Sequence, residues 1–157
     1  MGALTLAKSP LDHQNRRMAT QSEPTTPDVI AVAAFRSALR HFLRRSEKIA
    51  RQSGLTPQRY TLLMMIKGSP AGDEQSTVTE LAERMQLAQS TVTELVRRAE
   101  GAGLIEREQS QRDARVAHLR LTPEGDRRLM LSFTELETER AQLREAFASL
   151  DGGVTGN

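Results

Sequence analysis

Cysteine and tryptophan are absent from the 157-residue chain, and aromatic residues make up only 3% of it. Without thiols the chain has no disulfides, no thiolate metal ligands and no peroxide sensing by cysteine oxidation. The scarcity of aromatic side chains disfavours a surface on which single-stranded bases stack. The three histidines, His13, His41 and His118, lack the clustered spacing of a metal site. We therefore expect no metal and no cofactor.

Long apolar runs and a strong excess of one charge are absent as well. No apolar run approaches the roughly 18 residues of a membrane span or the uninterrupted core of a secretory signal, so we expect no membrane partner and a cytoplasmic location. The 22 basic and 20 acidic residues leave a net charge of +2, which means that any nucleic-acid surface must come from local segregation of charge. No nucleophile–base pair or phosphate loop emerges, and the sequence therefore predicts a protein that is not an enzyme.

The length fits one domain with tails. Residues 1–26 mix polar residues and prolines without a sustained period, which predicts a disordered N-terminal arm, and residues 152–157 are expected to form a flexible tail. From residue 27 onward apolar residues recur at helical spacing as far as the stop at Gly54. A second, shorter helix is predicted to end before Gly68, where the turn-rich stretch SPAGDEQS begins.

The stretch TVTELAERMQLAQSTVTELVRRAEGAGLIERE carries the strongest signal. Thr77 and Glu80 are spaced as a capping box, and the helix that starts there is expected to break near Gln86. A second helix over about 89–102 turns one side inward and the other outward. The inward residues are Val92, Leu95, Val96 and Ala99, and the outward residues are Ser90, Thr93, Glu94 and Arg97. A short helix with small polar side chains and an arginine fits the major groove of DNA. Two amphipathic helices are, however, also common in any helical domain.

A β-hairpin is predicted directly after the helix pair, with LIERE and VAHLRL as antiparallel strands. The intervening QSQRDAR is too long for a two-residue turn and too polar for a core, so its arginines project into solvent or onto a partner. We expect Arg115 to enter the minor groove of A·T-rich DNA, whose negative potential attracts arginine, while Asp113 braces that guanidinium. The alternative is an ordinary polar loop in an arginine-rich chain.

These segments resemble the MarR-type winged helix-turn-helix transcriptional regulators. The resemblance spans about residues 55–125 and rests on five segments in the family's order and spacing: LTPQRYTLL, TELAERM, STVTELVRRAEGAGLIERE, RDAR and LTPEG. It implies a mainly α fold, in which a winged helix-turn-helix domain with a small β-hairpin wing is combined with N- and C-terminal dimerisation helices. It also implies a homodimer that places one winged domain on each half of a palindromic operator in double-stranded DNA.

The expected DNA-binding residues lie on the second helix of the pair and on the wing. They are Gln89, Ser90, Thr91, Thr93, Arg97, Arg98, Arg112, Asp113 and Arg115. The resemblance matches Ser90, Thr91, Thr93 and Arg97 to groove-facing recognition positions and Arg115 to the wing arginine. It also makes residues 27–151 a single MarR-like domain. Within it, 27–54 and 122–151 form the dimerisation helices and 55–121 the winged helix-turn-helix DNA-binding region.

Two positions depart from the family pattern. The turn has Gln86 where the family has glycine, which costs about 1 kcal/mol if the backbone stays left-handed. Ala88 occupies the slot of the usual Ser or Thr helix cap. The recognition helix is therefore expected to begin there or a residue or two later, with Thr91 and Glu94 as an alternative capping box.

The C-terminal stretch independently predicts association. Thr122 and Pro123 start a long helix whose apolar residues recur at spacings of three, four or seven and are interrupted only by Arg140. These apolar residues are Leu129, Phe133, Leu136, Leu143, Phe147 and Leu150. A helix this long cannot bury its apolar side against a small winged domain alone, so we expect it to pack with the first helix, partly across a two-fold axis. An intramolecular helical hairpin is the alternative.

The resemblance further suggests a small aromatic or phenolic effector in a crevice between the dimer helices and the winged domain. His41, Arg45, Tyr60 and Met64 are the candidates for its lining, and ordinary packing or surface roles are the alternative for each. Together these features predict a homodimeric, sequence-specific transcriptional regulator, in particular a repressor that the effector releases from an inverted repeat. The alternative is a helical protein-interaction adaptor that uses a winged-helix fold without binding DNA.

Overall fold

The computed structural model of the protein describes residues 25–109 and 116–151. Along these residues the elements are α1 (Thr26–Gln52), α2 (Pro57–Lys67), α3 (Val78–Met85), α4 (Gln89–Gly101), β1 (Ile105–Gln109), β2 (Ala117–Leu121), α5 (Pro123–Glu135) and α6 (Glu137–Asp151). The predicted class, mainly helical with one small hairpin, is confirmed. The predicted tail at 152–157, and all but the last two residues of the predicted arm, lie outside the described residues.

Side-chain caps fix where the helices of the central region begin. The hydroxyl of Thr56 accepts a hydrogen bond from the backbone N–H of Arg59 at 3.3 Å, directly before a proline at the first helical position. The predicted capping box of α3 is present, because Thr77 Oγ1 accepts from the N–H of Glu80 at 3.3 Å and the Glu80 carboxylate accepts from the N–H of Thr77 at 2.7 Å. Local sequence therefore sets the entry points of α2 and α3.

Helix α2 lies at the centre of the core. It contacts α1, α3, α4, α5 and β2, which are most of the other elements. The fully buried large side chains of the core are Ile49, Leu55, Leu62, Leu63, Ile66, Leu81, Val92, Val96, Leu104, Leu119 and Leu136. Burial of one such side chain contributes roughly 1.5–3 kcal/mol. One hydrophobic core thus joins the helix pair α3–α4, the hairpin and the flanking helices.

A non-glycine residue in a left-handed conformation makes the turn between α3 and α4. Gln86 has φ of 54° and ψ of 43°, and the N–H of Leu87 donates to the carbonyl of Ala82 at 3.0 Å. The predicted break at Gln86 is confirmed, and the left-handed backbone that glycine would adopt freely is kept at a cost of about 1–2 kcal/mol.

The β-hairpin is held to the rest of the protein by a contact that the sequence did not predict. Strands β1 and β2 pair antiparallel from Ile105↔Leu121 to Gln109↔Ala117. On the edge of β2 that faces away from β1, Leu119 exchanges two backbone hydrogen bonds with Ser76, at 2.9 and 3.2 Å. The loop that leads into α3 therefore acts as a one-residue third strand and fixes the base of the hairpin.

Polar contacts connect the winged region to the helix that follows it. The Lys67 ammonium lies 2.8 Å from a carboxylate oxygen of Glu74 and 3.0 Å from one of Asp126. The hydroxyl of Ser132, which is fully buried, donates to that of Ser53 at 2.9 Å. Helix α5 is thus tied both to the end of α2 and to the end of α1.

The sequence predicted a single long C-terminal helix. This prediction is wrong, because the chain forms two helices with a break at Leu136. Leu136 has φ of −96° and ψ of 12°, and its N–H donates to the carbonyl of Phe133, three residues earlier, at 3.3 Å. The Arg140 guanidinium donates to the same carbonyl and lies 3.7 Å from the centre of the Phe133 ring. The residue that interrupts the apolar stripe therefore folds back onto the break.

Helix α6 packs along α1 within the same chain. The rings of Phe35 and Phe147 meet edge to face with their centres 6.0 Å apart, and Arg45 Nε lies 3.1 Å from Glu139 Oε1. The prediction that the last helix packs with the first is confirmed. The contacts lie within one chain, as the alternative of an intramolecular helical hairpin has them. Among the described residues no helix is both long and apolar enough to cross a membrane.

The close approach of α5 to the backbone before β1 predicts a severe effect of one methyl group. A Cβ on Gly125 would lie 1.9 Å from the carbonyl oxygen of Leu104, whereas a Cβ on Gly101 would meet nothing within 4 Å. We expect Gly125→Ala to lower the free energy of unfolding by about 3 kcal/mol, because backbone must move. Gly101→Ala should raise it by roughly 0.5–1 kcal/mol through helix propensity. Urea unfolding compares them, and equal effects would contradict the packing described.

Candidate nucleic-acid interface

Helix α4 has one buried and one exposed side, as the sequence predicts. Val92, Val96 and Ala99 are fully buried, while Leu95 is half-buried against the core. The exposed side carries Ser90, Thr91, Thr93, Arg97 and Arg98. Because the buried side is anchored on α2 and α3, the orientation of the exposed side is fixed by the core.

The start of α4 is settled in favour of Ala88 as the capping position. Ala88 has extended backbone angles, φ −62° and ψ 143°, and its carbonyl accepts the first helical hydrogen bond from the N–H of Val92 at 3.1 Å. The alternative start, with Thr91 and Glu94 as a capping box, is wrong because Thr91 lies inside the helix and the Glu94 carboxylate bonds to arginines.

Two of the expected binding residues, Gln89 and Thr93, form hydrogen bonds that support the first turns of α4. The Gln89 side-chain amide donates to the hydroxyl of Thr79 at 2.9 Å, which ties the first turn of α4 to α3. The Thr93 hydroxyl donates to the carbonyl of Gln89 at 2.8 Å. Ser90 and Thr91 form no side-chain hydrogen bond within the described part of the chain, and their hydroxyls face solvent.

The two arginines of α4 share one carboxylate. Glu94 Oε2 and Oε1 accept from Arg97 Nε and Nη2, both at 2.8 Å, and Oε1 also accepts from Arg98 Nε at 2.8 Å. Hydrogen bonds from Arg97, which have the larger effect, and from Arg98 lower the pKa of Glu94 to about 2. The hydrogen bond to Glu94 in turn raises the pKa of Arg97. The group is exposed, so it adds little to stability, but it holds both guanidinium groups in place. Sequence reasoning missed it, although the i, i+3 and i+4 spacing was its signal.

The same arrangement occurs a second time, on α5. Glu124 accepts two hydrogen bonds of 2.8 Å from Arg127 and one of 2.6 Å from Arg128. The hydrogen bonds from Arg127 and Arg128 likewise lower the pKa of Glu124 to about 2. The described residues therefore contain this local charge motif at Glu94 and at Glu124, and of these two the copy at Glu94 lies on the exposed side of the helix pair.

The base of the wing is anchored by ion pairs. Arg107 on β1 contacts the Glu100 carboxylate of α4 with Nε and Oε1 2.6 Å apart. Arg120 on β2 lies 3.4 Å from Glu108 and donates to the carbonyl of Asp73 at 3.4 Å. The predicted wing residues Arg112, Asp113 and Arg115 lie outside the described residues.

The four residues predicted to line an effector crevice have different surroundings. Tyr60 is buried, and this burial raises the pKa of its phenol while Ser46 forms a hydrogen bond with it. Arg45 pairs with Glu139 across α1 and α6, and Met64 is half-buried against the core. The exposed His41 lines a depression formed by Ala33, Ser37, Arg40, His41 and Arg44. That depression does not include Arg45, Tyr60 or Met64.

A groove between α1 and α6 combines aromatic walls with two guanidinium groups. Its volume is about 510 Å³, and its lining consists of Phe35, Phe42, Arg140, Leu143, Arg144 and Phe147. Sequence reasoning treated Phe147 only as part of an apolar stripe. Across residues 25–109 and 116–151 no cluster of three or more histidine and acidic side chains could hold a metal ion.

Two short helices joined by a tight turn and followed by an anchored β-hairpin define a winged helix-turn-helix. Residues 53–116 match the model of the MarR family, so this region of the chain is similar to that family. Solved members of that family are described as transcription regulators. No curated protein matches the chain.

Solved structures share the fold over most of the chain. One MarR family transcription regulator is 21% identical and has a TM-score of 0.62, with 93% of this chain and 87% of that chain covered. AbsC, a MarR family transcriptional regulator from Streptomyces coelicolor, is 22% identical with a TM-score of 0.56, covering 83% and 84%. A mutant MarR from E. coli complexed with operator DNA is 16% identical with a TM-score of 0.60, covering 76% and 86%.

The helix start at Ala88 predicts the outcome of two substitutions. Ala88→Ser should raise the free energy of unfolding by about 1 kcal/mol, because a hydroxyl would satisfy a first-turn N–H that alanine leaves unpaired. Thr91→Ala should change it by less than about 0.5 kcal/mol, since alanine is a good helix former. Urea unfolding measures both variants. A loss of stability confined to Thr91→Ala would instead mean that Thr91 caps the helix.

Proposed function

We propose that this protein is a homodimeric repressor that binds an inverted repeat in double-stranded DNA and is released by a small aromatic or phenolic effector. The observation that carries the proposal is the exposed side of α4, where Ser90, Thr91, Thr93, Arg97 and Arg98 face outward from a rigidly packed helix. The likeness in fold to a MarR protein complexed with operator DNA supports it.

The side chains of α4 suit a major groove. Ser90 and Thr91 are small, so the helix backbone can approach the bases closely, and their hydroxyls can bond to phosphates or base edges. A guanidinium such as that of Arg97 can donate two hydrogen bonds to the O6 and N7 of guanine. Gln89 and Thr93 support this surface from within the protein through their bonds to Thr79 and to the helix backbone.

The wing supplies the second contact in the proposal. Its base is fixed by the bridge between Ser76 and Leu119 and by the pair of Arg107 with Glu100. A tip that leaves this base can reach the neighbouring minor groove, where Arg115 and Arg112 would lie against the negative potential of A·T-rich DNA and Asp113 would orient them.

Dimerisation is supported by apolar side chains that one chain leaves exposed on α1 and α5. They form what we call the apolar face: Val29, Ile30, Val32, Leu43, Met130, Leu131 and Phe133, each more than a third exposed. Val29, Val32 and Leu43 share one side of α1, at spacings of three and eleven residues. We propose that a second copy covers this face, and an inverted repeat would then require the two recognition helices to lie about one DNA turn, roughly 34 Å, apart. In this proposal 27–54 and 122–151 dimerise, and 55–121 bind DNA.

The effector is proposed to bind at one of two places, the crevice between the dimer helices and the winged region or the groove between the dimerisation helices α1 and α6. The groove between α1 and α6 offers aromatic walls and the guanidinium groups of Arg140 and Arg144, which suit an aromatic ring that carries an anionic or phenolic oxygen. It is a second candidate location beside His41, Arg45, Tyr60 and Met64.

Selection of duplexes from a random-sequence pool tests the proposal against the protein-interaction adaptor. The regulator should enrich an inverted repeat with half-sites one helical turn apart, with an affinity that falls steeply between about 50 and 200 mM salt. Repetition with small phenolic acids tests release. An adaptor would enrich no sequence.

Arg115→Ala should weaken binding to the selected duplex, most strongly where A·T pairs flank the half-sites, because the minor-groove contact is lost. Arg127→Ala is the control, since it removes an exposed, carboxylate-paired arginine from α5. Titration of labelled duplexes at fixed salt measures both variants. If Arg115→Ala binds every duplex as the parent does, the wing assignment fails.

The double variant Val32→Glu/Leu43→Glu should dissociate the dimer, because two carboxylates would be buried without partners. Leu87→Glu is the matched control, since Leu87 is 38% exposed but lies outside the apolar face, between α3 and α4. Analytical ultracentrifugation reports the masses. A parent chain that sediments as a monomer, or a double variant that remains dimeric, would contradict the assignment of this face.

A further inference from the structure

The guanidinium group of Arg97 is bound along one edge only. Nε and Nη2 point at Glu94 Oε2 and Oε1, each at 2.8 Å, which is a side-on, two-bond pair. The guanidinium has five N–H donors, and the remaining edge, made of Nη1 and the outer N–H of Nη2, has no acceptor among the described residues. This edge belongs to a side chain that is 69% exposed.

An end-on guanidinium edge of this kind presents two parallel N–H groups. Guanine offers O6 and N7 at the spacing that accepts two such bonds in the major groove. The bond with Glu94 and the bond with guanine use different edges, so both can exist together. A carboxylate that orients one edge therefore also aims the other.

We propose that Glu94 is a positioning residue that determines base specificity, because it holds Arg97 with its free edge directed at a guanine in the major groove. The inference rests on the proposed DNA-binding function and adds the residue that sets its selectivity. It also assigns a role to Arg98, whose Nε donates to Glu94 Oε1 at 2.8 Å and so helps to hold the carboxylate in place.

Two physical effects make this arrangement selective. An arginine that is already ordered loses less rotamer freedom when it binds a base, so the correct duplex gains. A fixed Arg97 does not reach freely for phosphates, and the carboxylate, which stays charged because the two arginines hold its pKa at about 2, repels the DNA backbone. Random-sequence duplexes are therefore penalised.

The motif at Glu124 provides a matched control within the chain. Its carboxylate binds Arg127 and Arg128 at the same i+3 and i+4 positions, at 2.8 and 2.6 Å. Glu124 and Glu94 have equally exposed side chains, at 41% and 42%. Removing either carboxylate takes away the same kind of paired ion bridge on a helix surface, but only the one at Glu94 lies beside the proposed recognition surface.

The test uses the full chain and its Glu94→Gln and Glu124→Gln variants, with the duplex selected by the parent, its single-base variants and a random-sequence duplex as probes. For Glu94→Gln we expect discrimination at one G·C pair of each half-site to fall about tenfold, and binding to the random duplex to rise several-fold at low salt. Glu124→Gln should match the parent in both. Circular dichroism and urea unfolding verify that the variants fold.

A double-mutant cycle with Arg97→Ala decides whether Glu94 acts through Arg97. In the Arg97→Ala background, Glu94→Gln should no longer change discrimination at that base pair. The inference is overturned if Glu94→Gln keeps the parent's base preference, if Glu124→Gln changes it equally, or if the effect persists without Arg97. Failure of the DNA-binding proposal is a different result, in which the parent itself enriches no duplex.

Discussion

The burial of one side of α4 is the constraint on which the proposed interface depends. Val92, Val96 and Ala99 lie in the core against the central helix α2, so neither the rotation of α4 nor its depth can change without opening the core. Each buried side chain removes apolar area from water, and the polar side chains on the opposite face are oriented as a consequence. The selectivity of the surface therefore begins with packing, before any polar group meets a ligand.

Much of the fold follows from local signals in the sequence. The caps at Thr56 and Thr77 and the outward and inward sides of α4 are encoded within a few residues, so they are predictable from spacing alone. The bridge between Ser76 and Leu119 joins residues that are far apart in the chain, and no local pattern encodes it. The break at Leu136 is accompanied by Arg140 folding back onto Phe133, a side-chain contact that a helical period cannot report.

Some features of the candidate site were likewise predictable from local sequence, and others were not. The exposed residues of α4 were predictable because helical periodicity assigns faces, and the MarR resemblance assigned a role to them. The shared carboxylate was not recognised, although Glu94, Arg97 and Arg98 have the spacing of helix ion pairs, because such pairs are common on solvated faces. The predicted effector residues had no local signal, and the structure gives Tyr60 and His41 different surroundings.

The break at Leu136 divides the C-terminal helical segment into two short helices, α5 and α6. Helix α5 is held to α2 through Lys67 and to the end of α1 through Ser53, whereas α6 packs along α1 through Phe35 and Arg45. A ligand that inserts between α6 and α1 would therefore tilt the fifteen residues of α6 without having to bend a continuous helix. The break at Leu136 permits α5 and α6 to reorient separately, which a continuous helix would resist.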